Sequence, residues 1–391
     1  MEKKNIQVLP ENECSGCGAC DNCCPVQAIA MEENQDGFLY PCVKEAVCTG
    51  CGRCIKVCPV LTLRQNKDKK PLCYAAYASD EVRMKSSSGG LFTVLANYVL
   101  EKKGYVCGAA FNENFAVEHR IISEENELEQ FRGSKYVQSK IGFVFRQIRE
   151  LLEAGEYVLF TGVPCQVAGL LGYLKQDYER LLTIDVICHG VPAPGVFRKY
   201  IKEKYGVNNI KAFQFRTKEF GHSCTNCVVT LKNGRRIVGN VDNDPYEKGF
   251  HRSLILRDSC GNCKFAPLPR QGDITLGDFW GIDKYNPDYA DARGVSVVLI
   301  NSDRGSIVWN EIKPTLPFAK AVPLEFALKH NRYRSKRQFH EGRADFFRLN
   351  RRLPFEKAVK MALNEKFSFA RSSKRFLKKW IPQKMIEKLR G

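Results

Sequence analysis

No apolar run in this chain of 391 residues approaches the length of a membrane span. The N-terminus also lacks the apolar segment of a secretory leader: Met1-Glu2-Lys3-Lys4-Asn5 runs straight on towards a cysteine-rich stretch. No recognised nucleic-acid motif occurs. These absences argue against a membrane-spanning chain, an exported one and a sequence-specific reader of DNA or RNA, and the expected home is the cytoplasm of a bacterium or archaeon. Acidic residues are scarce at one end only. From Asn331 to Gly391 there are 5 Asp/Glu against 19 Lys/Arg, a net +14 out of a total of +18. The first 330 residues therefore carry +4, so attraction to polyanions belongs to the C-terminal part.

Cysteine is what the chain has in excess, with 18 in all. Without an export signal they read as metal ligands and buried thiols in a reducing compartment. Eight of them form one arrangement written twice: Cys14-x2-Cys17-x2-Cys20-x3-Cys24-Pro25, and 34 positions on, Cys48-x2-Cys51-x2-Cys54-x3-Cys58-Pro59. This is the bacterial ferredoxin run. Three thiolates two residues apart let one tight loop wrap three corners of an iron–sulfur cube. The fourth, followed by Pro, is expected to start a short helix leading away. In two-cluster ferredoxins that fourth Cys serves the other cluster. Cys14, Cys17, Cys20 and Cys58 are thus assigned to one [4Fe–4S] cluster, and Cys48, Cys51, Cys54 and Cys24 to the second. Gly16, Gly18, Gly50 and Gly52 supply the unusual dihedrals and close approach such loops need. A disulfide framework or a zinc site is the competing reading; runs of four, each closed by a proline, count against both. Cys23 competes with Cys24 as a ligand, and Cys42 has no assigned role.

Further along, Ala28–Met31 and Gly37–Tyr40 read as strands flanking the cluster loops, and 65–71 as a polar linker. Tyr74–Ser79 is an expected strand. Ser86-Ser87-Ser88-Gly89-Gly90 precedes an apolar helix over Leu91–Leu100 and is either an anion site for a phosphate or an ordinary helix cap. Tyr105–Phe111 reads as a strand. Phe131–Ser139 is a polar loop that cradles an anion or simply turns at the surface. Tyr157–Phe160, the turn Thr161–Gln166, a helix over Val167–Leu174, the strand Leu182–Ile187, the turn Cys188–Pro192 and a helix to about Tyr205 form a βαβα pattern, so the two strands should be parallel. Cys165 and Cys188 then lie past the carboxyl ends of parallel strands, where open α/β sheets bind ligands. Residues 210–241 alternate like antiparallel strands around Asn233-Gly234, Gly294–Asn301 is a Val-rich buried strand, and the chain turns helical and basic after about Pro323.

Cys260-x2-Cys263 is a chelating pair in need of two more ligands. Cys224 with Cys227 would complete a sequence-local zinc site. Those two fall in a strand-like stretch, however, where a spacing of three points them to opposite faces. Cys165 and Cys188, in Gly/Pro-rich turns, are the preferred partners. His189 is a further candidate ligand or a hydrogen-bonded turn residue.

Several stretches together resemble the coenzyme F420 hydrogenase/dehydrogenase beta-subunit family, from roughly Cys14 to Asn301. They are Ser87-Ser88-Gly89-Gly90, Gly133–Ser139, Gly162-Val163-Pro164-Cys165-Gln166, Asp185–Pro192, Ser259–Phe265 and Gly277-Asp278-Phe279-Trp280-Gly281. The resemblance implies an iron–sulfur flavoprotein oxidoreductase that binds FAD beside a [4Fe–4S] cluster and exchanges electrons with a hydride-carrying deazaflavin of the coenzyme F420 kind. Carried onto matching positions, it implies Cys165, Cys188, Cys260 and Cys263 as ligands of a third cluster. It also implies Ser87, Ser88, Gly89, Gly90, Ser134, Lys135, Tyr136 and Gln138 as flavin-binding residues. The sequence departs from the family's pattern at His222, where an aromatic, usually Trp, is expected, and in the basic stretch after residue 330.

The expected fold class is therefore α+β: a ferredoxin-type two-cluster module over 1–66, an α/β flavin and [4Fe–4S] domain over 72–325, and a helical basic tail over 326–391. A non-catalytic electron-transfer subunit is the alternative to an enzyme; bound flavin separates the two. The expected partner is a redox protein, such as a ferredoxin or an oxidoreductase subunit. In the tail, Phe369, Phe376, Leu377, Trp380 and Ile381 recur at helical spacing among Lys and Arg, up to Pro382. Such a helix either docks on its own core or lies on an anionic membrane surface.

Overall fold

The structure is a computed structural model that describes residues 4–62, 70–221, 226–331 and 336–365. Among them no helix is long and apolar enough to cross a membrane.

The first module is built as a doubled unit. Its two strands, β1 (Ile29–Glu33) and β2 (Leu39–Val43), pair antiparallel. Its two short helices, Ala19–Cys23 and Arg53–Val57, each begin after a left-handed glycine, Gly18 at φ 75° and Gly52 at φ 68°. The helices stop at Cys24 and Cys58 instead of starting there, which corrects the sequence expectation. The cause is local: a residue before proline is pushed to extended dihedrals, and both cysteines adopt them.

The rest of the chain is organised around one sheet of eight strands. In chain order these are β3 (Leu72–Tyr77), β4 (Tyr105–Phe111), β5 (Val117–Ile122), β6 (Val158–Gly162) and β7 (Leu181–Val186), followed by β11 (Ile274–Asp278), β12 (Ser296–Ile300) and β13 (Phe318–Ala321). Between β7 and β11 come β8 (Ile210–Gln214), β9 (Asn226–Leu231) and β10 (Arg236–Asn240), which form a separate antiparallel sheet. The large sheet runs β13-β3-β12-β11-β7-β6-β4-β5. Its centre, β11-β7-β6-β4, is parallel, and the flanking pairs are antiparallel. The expected parallel pairing of the two strands around residues 158 and 184 is present, with Gly162 opposite Asp185. These central strands are buried on both faces, which is why they read as unbroken apolar runs. The helix Leu91–Glu101 and Trp309 cover one face, and the helices Val144–Glu153 and Pro164–Leu174 cover the other.

The helix Pro164–Leu174 also carries the N-terminal module. A Cβ at Gly172 would meet the Val57 carbonyl oxygen at 2.5 Å, so only glycine allows this approach, and one at Gly169 would crowd Cys17 Sγ at 3.0 Å. Asn22 donates to the Gly142 carbonyl at 2.8 Å, and Arg146 to those of Asn22 and Asp21. The two parts are thus fastened, whatever the 63–69 connection does; that stretch, most of the expected linker, lies outside the described residues.

The expected boundary at 326 does not coincide with the edge of the core. Helices Arg343–Asn350 and Phe355–Ala362 bury Phe346, Phe347, Phe355, Ala358 and Val359 against Phe197, Tyr200, Tyr246 and Phe250. The apolar repeat of the basic tail, Phe369–Ile381, lies outside the described residues.

Candidate electron-transfer site

The cysteines gather as three quartets. Cys14, Cys17, Cys20 and Cys58 lie in one another's electrostatic field. Cys24, Cys48, Cys51 and Cys54 line one small hollow. Cys165, Cys188, Cys260 and Cys263 form the third set. The sets run in series. Cys23 bridges the first two, donating to the Cys20 carbonyl at 3.3 Å while sitting beside Cys24, Cys51 and Cys54. Cys17 stands next to Cys165. Cys51 is exposed, whereas the members of the first quartet are buried and those of the third only partly exposed. The solvent end of the row is therefore the second quartet.

Burial pushes the Cys17 and Cys188 thiols up to about 12 and Cys260 to about 11, with neighbouring cysteines adding to the shift. Four such groups cannot ionise side by side in the interior unless a cationic core neutralises them. The donors that an iron–sulfur core needs are present: all-thiolate corners and backbone N–H groups aimed at sulfur. Gly16 N–H points to Cys14 Sγ at 3.4 Å, Ala28 N–H to Cys24 Sγ at 3.2 Å and Gly190 N–H to Cys188 Sγ at 3.3 Å. Among the described residues no group of three His, Cys, Asp or Glu is drawn together around one metal ion. A four-iron core is wider than a single ion and holds its thiolates farther apart.

The third quartet arises from the sheet topology. Cys165 opens the helix after β6, and Cys188 follows β7. The loop with Cys260 and Cys263 is laced to β7 by a buried ion pair, Arg270 Nη2 to Asp185 Oδ1 at 3.1 Å. Arg270 also donates to the carbonyls of Phe265 and Ala266, and Asp185 accepts from the N–H of Gln271 and Gly272. The rejected partner Cys227 is buried in β9 among Asp244 and Glu247; Cys224 and His222 lie outside the described residues. His189 is engaged elsewhere. Its Nε2 donates to the Phe250 carbonyl at 3.1 Å, which leaves Nδ1 to accept from Arg337 at 3.2 Å. Cys73 and Cys107 are buried strand residues of the sheet.

A cavity of about 760 Å³ has Ser87, Ser134 and Lys135 in its wall. Ser87 Oγ accepts from the Ser134 N–H at 2.8 Å. Lys135 Nζ donates to the carbonyls of Gln130 and Arg132, and burial pulls it down to about 7. Tyr136 stacks on Phe250 at 4.3 Å, and Phe250 lies 4.7 Å from the His189 ring, so aromatic rings connect the cavity wall with the turn that holds Cys188. The other expected flavin residues are placed differently. Gly89 is pressed on β3 and β12, where an added Cβ would meet the Ala76 carbonyl at 2.6 Å, and its N–H is taken by Ser296 Oγ. Ser88 and Gly90 belong to the same turn. Gln138 is buried outside the cavity and donates to the carbonyls of Ser15 and Gly16 in the first cysteine loop. The cavity cations that went unnoticed in the sequence include Lys211 and Lys232 and, between them, two more. Arg216 is paired with Asp278 at 2.6 Å. Lys218 donates to the carbonyls of Arg83 and Ser88, and burial with Arg83 and Arg216 nearby lowers it to about 7. Both stand in the stretch that ends at His222, whose pattern of alternating cations was the available signal.

Comparison with known proteins gives three family matches. Residues 13–61 match a 4Fe-4S dicluster domain. Residues 73–145 and 155–318 match the N-terminal and C-terminal parts of the coenzyme F420 hydrogenase/dehydrogenase beta subunit. The chain is 28% identical over 202 residues to a subunit of the F(420)H(2) dehydrogenase of Methanosarcina mazei, covering 48% of this chain and 56% of that one. It is 23% identical over 358 residues to the coenzyme F420-dependent sulfite reductase of Methanocaldococcus jannaschii, covering 86% of this chain and 51% of the other. The chain thus spans about half the length of the curated relatives it matches. A solved structure of the F420-reducing [NiFe] hydrogenase complex from Methanosarcina barkeri aligns with a TM-score of 0.47 at 16% identity, covering 78% of this chain and 92% of that one. With a dicluster domain in front and both parts of the beta subunit behind it, the chain belongs to the coenzyme F420 hydrogenase/dehydrogenase beta-subunit family and is an iron–sulfur protein of oxidoreductase type.

Proposed function

We propose that the chain is an iron–sulfur flavoprotein oxidoreductase that carries electrons inward from a ferredoxin-like donor to a hydride carrier of the coenzyme F420 kind, or in the reverse direction. The observation that supports it is the serial order of the quartets, from the exposed Cys51 to Cys165 and Cys188, with Tyr136, Phe250 and His189 in ring contact between the Cys188 turn and the cavity wall. The twelve cysteines would hold three [4Fe–4S] clusters. The cavity's Arg132, Lys211, Arg216 and Lys232 would neutralise the pyrophosphate of FAD, with Ser87 and Ser134 as hydrogen-bonding partners. Bound there, a flavin would convert single electrons into hydride equivalents. The protein's own part is to position Tyr136 and Phe250 between cavity and third quartet and to keep water from the path.

The test is anaerobic purification with iron, sulfide, zinc and flavin analysis. About twelve iron atoms and one FAD per chain are expected. Zinc in the third quartet would refute its assignment. Iron without flavin would favour the second reading, an electron-transfer subunit whose chemistry lies in a partner. The hydride acceptor is tested separately, by reduction of coenzyme F420 with the chemically reduced protein.

A further inference from the structure

Arg257 is fully buried, yet its hydrogen bonds go to neutral acceptors. Nε donates to the Cys14 carbonyl at 2.7 Å, and Nη1 donates to Gln138 Oε1 at 3.0 Å. Its guanidinium lies over the Tyr40 ring at 4.0 Å, and Nη2 has no hydrogen-bond partner among the described residues. The adjacent Asp258 is committed to Arg343 at 2.7 Å, and among the described residues no carboxylate forms an ion pair with Arg257. The other fully buried arginines, Arg83 and Arg270, are paired with Asp291 and Asp185. A buried cation without an anion is costly and is not retained without a compensating charge nearby.

The surroundings supply one. Arg257 stands between the first and third quartets: its side chain holds the loop of Cys14, and its carbonyl accepts from the Cys260 N–H at 3.0 Å. A Cβ at Gly16 would meet Arg257 Nη1 at 3.0 Å, so the loop glycine, at φ 67°, is moulded to the guanidinium. Four thiolates outweigh the positive core they would hold, so each loaded quartet is a net anion. Reduction adds one electron and no proton, and makes it more negative still.

We infer that Arg257 is the built-in counter-charge shared by the two inner clusters, placed to favour their reduced forms over that of the outer cluster and so to draw electrons inward. This is a positioning and tuning role, since net charge around a cluster sets its potential. It rests on the cluster reading above, and the wild-type iron count tests that reading by itself.

The experiment is a potentiometric titration followed by electron paramagnetic resonance on the full, iron-loaded chain. Wild type is compared with Arg257→Lys, Arg257→Gln and Arg257→Met, with iron counted in each. With iron retained, Gln and Met are expected to weaken reduction of the inner two clusters at least tenfold, about 59 mV for one electron. The outer cluster should stay put, and Lys should remain near wild type. Unmoved inner potentials in the neutral variants overturn the inference, as does a Lys variant that shifts as far as Met. Should the neutral variants shed inner iron, retention of that iron by Lys supports the charge role. Loss from Lys as well overturns it in favour of a purely structural strut.

Discussion

Glu247 is buried in the helix Pro245–His251 and faces His251 Nε2 at 3.4 Å. Burial, with Asp244 adding and His251 and Arg216 opposing, raises its carboxyl from 4.5 to about 7. The folded chain therefore holds a proton there that the unfolded chain releases, and stability falls as pH rises between those two values. The expected loss is on the order of 2–3 kcal/mol, and Glu247→Gln should abolish that decline. Urea midpoints at pH 4.5, 6 and 7.5 measure it; parallel slopes for the variant and wild type would refute the assignment. Little of this was legible in the sequence, because burial of Glu247 depends on helices far away in the chain. The same holds at Gln138. Its motif pointed to a ligand cavity, while its amide instead ties Arg257 to the first cysteine loop. The cysteine positions, by contrast, were plain, since loops that wrap a core need fixed short spacings.

At the scale of elements, β3, β4, β6, β7 and β12 could be read, whereas the central β11, which lies in a Gly-rich stretch, and the edge strands β5 and β13 could not. β6 and β7 are short, apolar and followed by Gly/Pro turns. β5 and β13 are edge strands with mixed burial, and β5 carries Glu118, His119 and Arg120 in its middle. The βαβ connection then explains why Cys165 and Cys188 meet: adjacent parallel strands end on the same side. The helix Pro164–Leu174 is doubly used, covering the sheet and receiving the N-terminal module. Gly172→Ala forces a Cβ into the Val57 carbonyl, where neither backbone can yield cheaply. The expected cost is roughly 1–3 kcal/mol, with faster proteolysis within residues 4–62. Unchanged urea midpoint and digestion pattern would show that the two parts do not pack at this contact. The sequence contained Gly169 and Gly172 without any sign of what presses on them.

For the whole molecule, the N-terminal module is a packed layer and not an appendage. Ala19 and Val57 share a core with Ile141, Phe145 and Leu170, and Arg198 and Arg351 reach Glu33 and Asp36 on its far side. The charge count sets the whole C-terminal stretch apart as a basic helical tail, because 19 Lys/Arg dominate its composition. The phenylalanines of 343–363 are nevertheless core. A chain ending at Glu365 keeps this packing and is therefore expected to fold with a cooperative melting transition. One ending at Gly342 removes Phe346, Phe347 and Phe355, each worth about 3–5 kcal/mol as a large-to-small loss, and is expected not to fold. Equal melting of the two truncations would contradict this packing. Vesicle sedimentation for the basic residues beyond 365 compares the full chain with the first of these truncations, since the shorter one confounds adhesion with unfolding. The exposed Cys51 has a consequence of its own for how the molecule ages. Oxygen and small oxidants reach an accessible sulfur first, and this sulfur belongs to the outermost member of the row. On the proposed assignment, a preparation handled in air would lose its outermost cluster before its interior is damaged. It would keep its shape and its inner colour while its exchange with a redox partner is broken.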